Sequence, residues 1–148
     1  RIVGEACHFI DLARNLVGHP IARVSAIPQR SSDIARAPRD IATINLEFQD
    51  GSLAAIHYLS NGHPSVPKER VEVYCAGRVL QLDNFRALRV FGWPRAKSRR
   101  GWRQDKGNDA CIAAFMDAVR SGGAAPIAFE ELIEVSRAAI DAAEAVER

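Results

Sequence analysis

Strict alternation on both sides of an Asp-Gly pair is the pattern that most narrows what this chain can fold into. Ile44, Leu46 and Phe48 alternate with Thr43, Asn45 and Glu47, then Asp50-Gly51 follows, and strand character resumes from Leu53 to Leu59. Such a pair between two β-like runs predicts a hairpin, because the turn needs positive φ and glycine adopts it without a Cβ clash. Other short runs repeat the alternation. From Ala22 to Pro28, Val24, Ala26 and Pro28 oppose Arg23, Ser25 and Ile27. Val71, Val73 and Cys75 alternate with Glu72 and Tyr74, and Gly77 turns the chain into Arg78 to Asp83, where Leu80 and Leu82 share a face. Leu88, Val90 and Gly92 mark one more strand. The sum is a meander of antiparallel strands, several with one polar face. Gln29 to Asp40, polar and broken by Pro38, reads as a loop, as does Asn61 to Pro67, rich in Gly and Pro.

Helical spacing governs the two ends of the sequence. Phe9, Leu12, Ala13, Leu16 and Val17 recur on one face, Gly18 stops the run, and Pro20 prevents its continuation. Ile112, Phe115, Met116 and Val119 line a second helix that Gly122-Gly123 ends. Ile127, Phe129, Leu132, Ile133 and Ile140 line a third, with a helix-favouring alanine-rich stretch from Ala138 to Ala145. Helix, then strands, then helices predicts an α+β fold: an open, mostly antiparallel sheet with helices packed on one face.

Composition mainly excludes. The 148 residues suit one domain with a sizeable core, and no metal or disulfide staple is required. A net charge of +2 is too small by itself to imply a polyanionic partner. Cys7, Cys75 and Cys111 form no Cys-x-x-Cys pair, lie in apolar contexts, and read as reduced core residues of a cytosolic protein. No apolar run approaches the roughly 20 residues that span a bilayer. The chain opens without methionine and without a turn signal before Arg1, which reads as part of a larger protein.

The chemistry-bearing residues gather at two points. His8 stands at the mouth of the first helix between Glu5 and Asp11. A histidine there could take a proton from a substrate hydroxyl or donate a hydrogen bond to it, since it titrates near neutral pH. It could equally cap the helix or sit satisfied in the core. Glu5 could orient His8 or be a charge at a strand end. Asp11 on the first helical turn would complement the macrodipole. The second point is Asp105-Lys106-Gly107-Asn108-Asp109, ahead of the second helix. Asn108 or Asp109 is a natural N-cap, and Lys106 could reach a substrate oxygen or a phosphate. Arg95, Lys97, Arg99, Arg100, Arg103 and Lys106 are interleaved with Trp93 and Trp102. That basic run is the one hint of nucleic acid, but no binding motif surrounds it, and a charged surface loop is the commoner explanation. Lys68-Glu69-Arg70 reads as solvated ion pairs. His57 and His63 have no carboxylate or cysteine at ligand spacing, so no metal is expected.

The order Gly4-x-x-x-His8-x-x-Asp11-Leu12, the Gly18 stop, Asp50-Gly51, Pro67-Lys68-Glu69-Arg70, Gln104-Asp105-Lys106-Gly107 and Pro126-Ile127 resembles the Gfo/Idh/MocA oxidoreductases, named after glucose-fructose oxidoreductase and inositol dehydrogenase. The resemblance covers nearly the whole chain. It implies the C-terminal substrate-binding and oligomerisation domain of an enzyme whose N-terminal Rossmann domain binds NAD or NADP. It also implies a sugar, sugar derivative or cyclitol as substrate, and a homo-oligomer built through the open sheet face. His8 and Glu5 are then the catalytic candidates, and Asp11, Lys106 and Asn108 border the substrate. No Gly-x-Gly-x-x-Gly and no Glu-Lys-Pro occur in this sequence, so the cofactor fingerprint and the family's acid/base lysine would lie upstream. The wording from Arg1 to His8 further resembles a branch whose upstream region is similar to medium-chain zinc alcohol dehydrogenases. Two positions depart from the family. Gly4 stands where an aspartate is usual, and Asn108 where histidine is frequent. A non-catalytic binding or assembly module of the same fold is the alternative.

Overall fold

A computed structural model describes residues 1–30 and 40–147. They divide into two compact units, one of residues 1–62 with 124–148 and one of residues 63–123. The α+β expectation holds: three α-helices accompany two open antiparallel sheets.

In the first unit, β1 (Ile21–Pro28), β2 (Ile41–Phe48) and β3 (Leu53–Leu59) form a sheet in that order. The hairpin forms around Asp50-Gly51 as its sequence dictates. Gly51 has φ 87°, and the Asp50 carboxylate accepts hydrogen bonds from the Ser52 amide (3.0 Å) and hydroxyl (2.8 Å). These bonds favour the ionised form and hold the Asp50 carboxyl below the usual carboxylate range. The register pairs Ile44 with Ile56 and Ala42 with Tyr58. On β2, Ala42, Ile44, Leu46 and Phe48 are buried, while on β1 Val24 and Ala26 turn inward and Ile27 is exposed. The alternation therefore reports the faces correctly. Of the expected loop from Gln29 to Asp40, residues 31–39 lie outside the described residues.

Two helices cover one face of this sheet. A wide π-type turn, Ile2–Ala6, leads into α1 (Cys7–Val17), and α3 (Phe129–Glu147) lies against β1 and α1. In α1 the expected apolar face is borne out in part, since Ala13 and Val17 pack against the core, whereas α3 buries a different face from the one its periodicity predicts. In α1 the buried line is Ile2, Ala6, Ile10 and Arg14, and Leu16 is exposed. In α3 it is Val135, Ala138, Ala139 and Ala142, whereas Phe129, Leu132, Ile133 and Ile140 are exposed. The reason is closeness of approach. Alanine lets a helix backbone settle near the sheet, and a close-packed interior rewards fit above side-chain size.

Arg14 is the charged member of that core. Its Nε lies 3.1 and 3.2 Å from the two oxygens of Glu134, and a terminal nitrogen lies 3.4 Å from Glu131. Glu134 also accepts the backbone N–H of Ile21, at the irregular start of the β1–β2 ladder. One carboxylate on α3 thus fastens both α1 and β1.

In the second unit, β4 (Arg70–Cys75), β5 (Arg78–Asp83), β6 (Ala87–Phe91) and the short β7 (Arg99–Arg100) form a meander. The expected strands are present, but β4 begins a new sheet and does not continue the first. Asn84 and Phe85, in the β5–β6 turn, have φ of 51° and 49°. That conformation suits asparagine and is costly for phenylalanine. α2 (Asn108–Ser121) ends at Gly122 as expected. Its predicted core face is nonetheless exposed: Ile112, Phe115, Met116 and Val119 are all uncovered, and no residue of α2 is buried.

The cysteine reading needs correction: Cys7 is half-buried, and Cys75 and Cys111 are exposed, all as free thiols. Cys7 packs against the core, whereas the apolar neighbours of Cys75 and Cys111 that suggested burial include residues that are themselves uncovered, Tyr74 and Ile112. Among the described residues, no helix is long and apolar enough to cross a membrane.

Candidate functional site

The π-type turn decides where His8 and Glu5 go. The Cys7 N–H reaches back to the Ile2 carbonyl, which widens the turn and keeps Ile2 and Ala6 on the buried line. Val3, Gly4, Glu5 and His8 are left facing out. Wide turns of this kind are frequent at functional sites. His8 is exposed, is the second residue of α1, and has no hydrogen-bond or ion-pair partner among the described residues. Neither of its structural alternatives, a cap or a satisfied core group, describes it.

Glu5 is not at a strand end. Its Oε2 accepts a 2.5 Å hydrogen bond from the hydroxyl of Tyr58, on the inner face of β3. Close by, Arg1 and Asp40 form an ion pair at 3.2 Å. Asp11 is half-buried and lies beyond the first turn of α1, so the macrodipole role expected of it does not apply.

Tyr58 was invisible to sequence reasoning, because a tyrosine among inward-facing strand residues reads as core. Its phenol is pushed up to about 12, first by burial, then by the hydrogen bond and negative charge of Glu5. Asp40 adds to this and Arg1 opposes it. A phenol near 12 in the folded chain, against about 10 unfolded, favours the protonated form. The stabilisation is complete below pH about 10 and is lost as pH rises through about 12. The sequence has only two tyrosines. In a Tyr74→Phe background, alkaline phenolate absorbance should therefore show one transition near 12. Adding Glu5→Gln should bring it part of the way down, with burial holding the remainder.

The second group of predicted residues belongs to the other unit. Lys106 is paired: its Nζ lies 2.5 Å from Glu69, which also accepts from the Gln104 amide at 3.1 Å, and 5.9 Å from the centre of the Phe85 ring. The Glu69 side chain is only 12% exposed, so the solvated-pair reading of Lys68-Glu69-Arg70 fails for Glu69, whose partner lies far along the chain. Arg70 does form an exposed pair, with Glu72. Asn108 is exposed and is the first residue of α2. The N-cap is Gly107, in the left-handed region at φ 76°, with no side-chain cap. The Asp105 carboxylate instead accepts the Gly107 N–H at 2.8 Å.

That last bond bears on the cofactor. A dinucleotide pyrophosphate needs free N–H groups at a helix N-terminus. At α2 a carboxylate already holds one of them, and at α1 the outward side of the leading turn carries Glu5. The described residues therefore offer no open pyrophosphate cradle at either of these two N-termini. Nor do they bring together three or more His, Cys, Asp or Glu side chains able to hold a metal ion. In the basic run, Arg99–Arg100 pair with β6, Arg78 stacks on Trp93 at 5.5 Å, and Trp102 is almost fully exposed.

Comparison with known proteins gives the fold a context. A UDP-N-acetylglucosamine 3-dehydrogenase from Acidithiobacillus ferrooxidans superimposes with a TM-score of 0.72 at 21% identity, over 95% of this chain and 45% of that one. An oxidoreductase from Agrobacterium radiobacter, in complex with NAD+, L-tartaric acid and magnesium, gives 0.74 at 17% identity, over 97% and 46%. A levoglucosan dehydrogenase in complex with NADH gives 0.72 at 18%, over 97% and 47%. The chain thus spans a little under half the length of these structures. A comparison with curated sequences found no match. The family model described as the GFO/IDH/MocA C-terminal domain matches residues 3–81, more than half of the sequence, and the chain belongs to that family.

Proposed function

We propose that this chain is the substrate-side domain of an NAD(P)-dependent oxidoreductase acting on a hydroxyl of a sugar, sugar derivative or cyclitol. The dinucleotide would be held by residues outside the chain. One observation carries the reading: an exposed, unpartnered histidine follows a wide turn whose carboxylate is held from the core. Structures of similar fold are named as dehydrogenases of sugar derivatives, one with NADH bound, which supports the substrate and cofactor classes.

The chain's own contribution is the proton side of the reaction. An alcohol that becomes a carbonyl must give up its O–H proton, and a positioned base speeds that transfer. The His8 imidazole takes this proton, and Glu5, three residues before it, is the carboxylate that orients it or a neighbouring hydroxyl. Asp11 borders the same flank of α1. Lys106, held by Glu69, and Asn108 belong to the other unit and take no step in this reading. The outer face of the first sheet exposes Ile27, Leu53 and Leu59, which suits a second copy of the chain there.

Gly4 favours the rival, an assembly module without chemistry. A Cβ built on Gly4 meets nothing within 4 Å, so packing does not forbid the family's aspartate. Activity decides between them. The isolated chain should give no turnover with NAD or NADP, while the full-length protein oxidises a polyol and loses that activity on His8→Ala. Turnover by the isolated chain would overturn the two-domain account, and a fully active His8→Ala protein would favour the module.

A further inference from the structure

We infer that Tyr58 is a positioning residue of this site, anchoring the Glu5 carboxylate by one oxygen and leaving the other free on the exposed stretch that also carries His8. The inference rests on the reading just given and adds to it a residue on a different element, remote in sequence.

The geometry is specific. Tyr58 pairs across the ladder with Ala42, a buried residue near the start of the central strand, and its side chain packs against the buried cluster. A side chain rooted there has little freedom. Its hydroxyl nevertheless emerges at the π-type turn and donates to Oε2 of Glu5. Glu5 by contrast is exposed and sits on an irregular turn, and such a carboxylate would ordinarily sample several rotamers. The phenol removes that freedom at one oxygen. Oε1 has no partner among the described residues and is left to accept. His8 lies three positions further on, just past the turn, and like Glu5 it is exposed.

Charge around the phenol fits this role. Glu5 and Asp40 are the anions near Tyr58 and Arg1 is the cation, so the hydroxyl keeps its proton and acts as a donor, never as the base. The base remains His8. What Tyr58 supplies is a fixed carboxylate where Gly4 provides none.

The test is a kinetic and thermal comparison of Tyr58→Phe, Glu5→Gln and the double variant in the full-length protein. A hydrogen bond to a charged group is worth enough to change kcat by roughly tenfold or more. Tyr58→Phe should therefore lower kcat about tenfold, with KM within about twofold, whatever loss of the bond costs in Tm. In the Glu5→Gln background the same change should cost no further activity, because the group it positions is gone. A Tm loss with unaltered kcat would make the bond a structural staple and overturn the inference. So would equal losses from Tyr58→Phe with and without Glu5. His8→Ala, run in parallel, separates the two levels. If it is harmless, the underlying reading fails. If it abolishes turnover while Tyr58→Phe does not reduce it, only the role of Tyr58 fails.

Discussion

Arg14→Ala is expected to destabilise the chain by about 3–5 kcal/mol. The Arg14 side chain is 9% exposed, and its guanidinium lies against two carboxylates, one of which also accepts the first amide of β1. Taking away the cation leaves the Glu134 charge partly buried and unpaired, and opens a void between α1 and α3. Removing one partner of such a pair costs far more than the pair itself contributes. Arg14→Lys keeps the charge but loses the planar fork, so it should fall between wild type and alanine. Arg23, paired with Glu47 in the open, is the control, and Arg23→Ala should leave the denaturation midpoint unchanged. Urea denaturation of the three variants checks the order. Equal midpoints for Arg14→Ala and Arg23→Ala would show that the buried pair contributes no more than an exposed one.

His8→Ala in the full-length protein is expected to lower kcat by at least about a hundredfold, the ordinary contribution of a positioned general base. The side chain is exposed and makes no contact that stability depends on, so Tm should not move. That separation makes the experiment clean, because an activity loss cannot be blamed on unfolding. Steady-state oxidation of a polyol, followed by reduced nicotinamide absorbance, provides the readout. A loss of only a few-fold would assign this surface to binding or assembly instead.

The parts of the fold that could be read from the sequence are those that short-range chemistry determines. Asp50 and Gly51 make their hairpin with bonds that span two residues. Gly18 and Gly122 end their helices where they stand, both in the left-handed region. The faces of the strands followed from alternation, because a period of two leaves no choice of side. The face of α3 did not follow. Leu132, Ile133 and Ile140 are the larger side chains, yet the alanines dock, since the sheet selects for close approach. Arg14 could not be read as a core residue, because its partners lie 117 and 120 residues further on. The site divides in the same way. His8 and Glu5 were visible beside each other, whereas Tyr58 is 53 residues from the group it holds. Asn108 was misread as a cap because Asp105 reaches the amide of Gly107 first.

The alanine line of α3 has a mechanical consequence. Ala138, Ala139 and Ala142 are spacers one methyl thick, and their thickness sets how far α3 stands from the sheet. Glu131 and Glu134 travel with that helix, so the reach of their carboxylates to Arg14 is fixed by the size of side chains that carry no charge. A bulkier residue at Ala142 would act as a shim: it would lift α3, stretch the grip on α1, and tilt the platform from which His8 projects. A change of side-chain size at this seam is therefore felt at Arg14, which none of these alanines needs to touch.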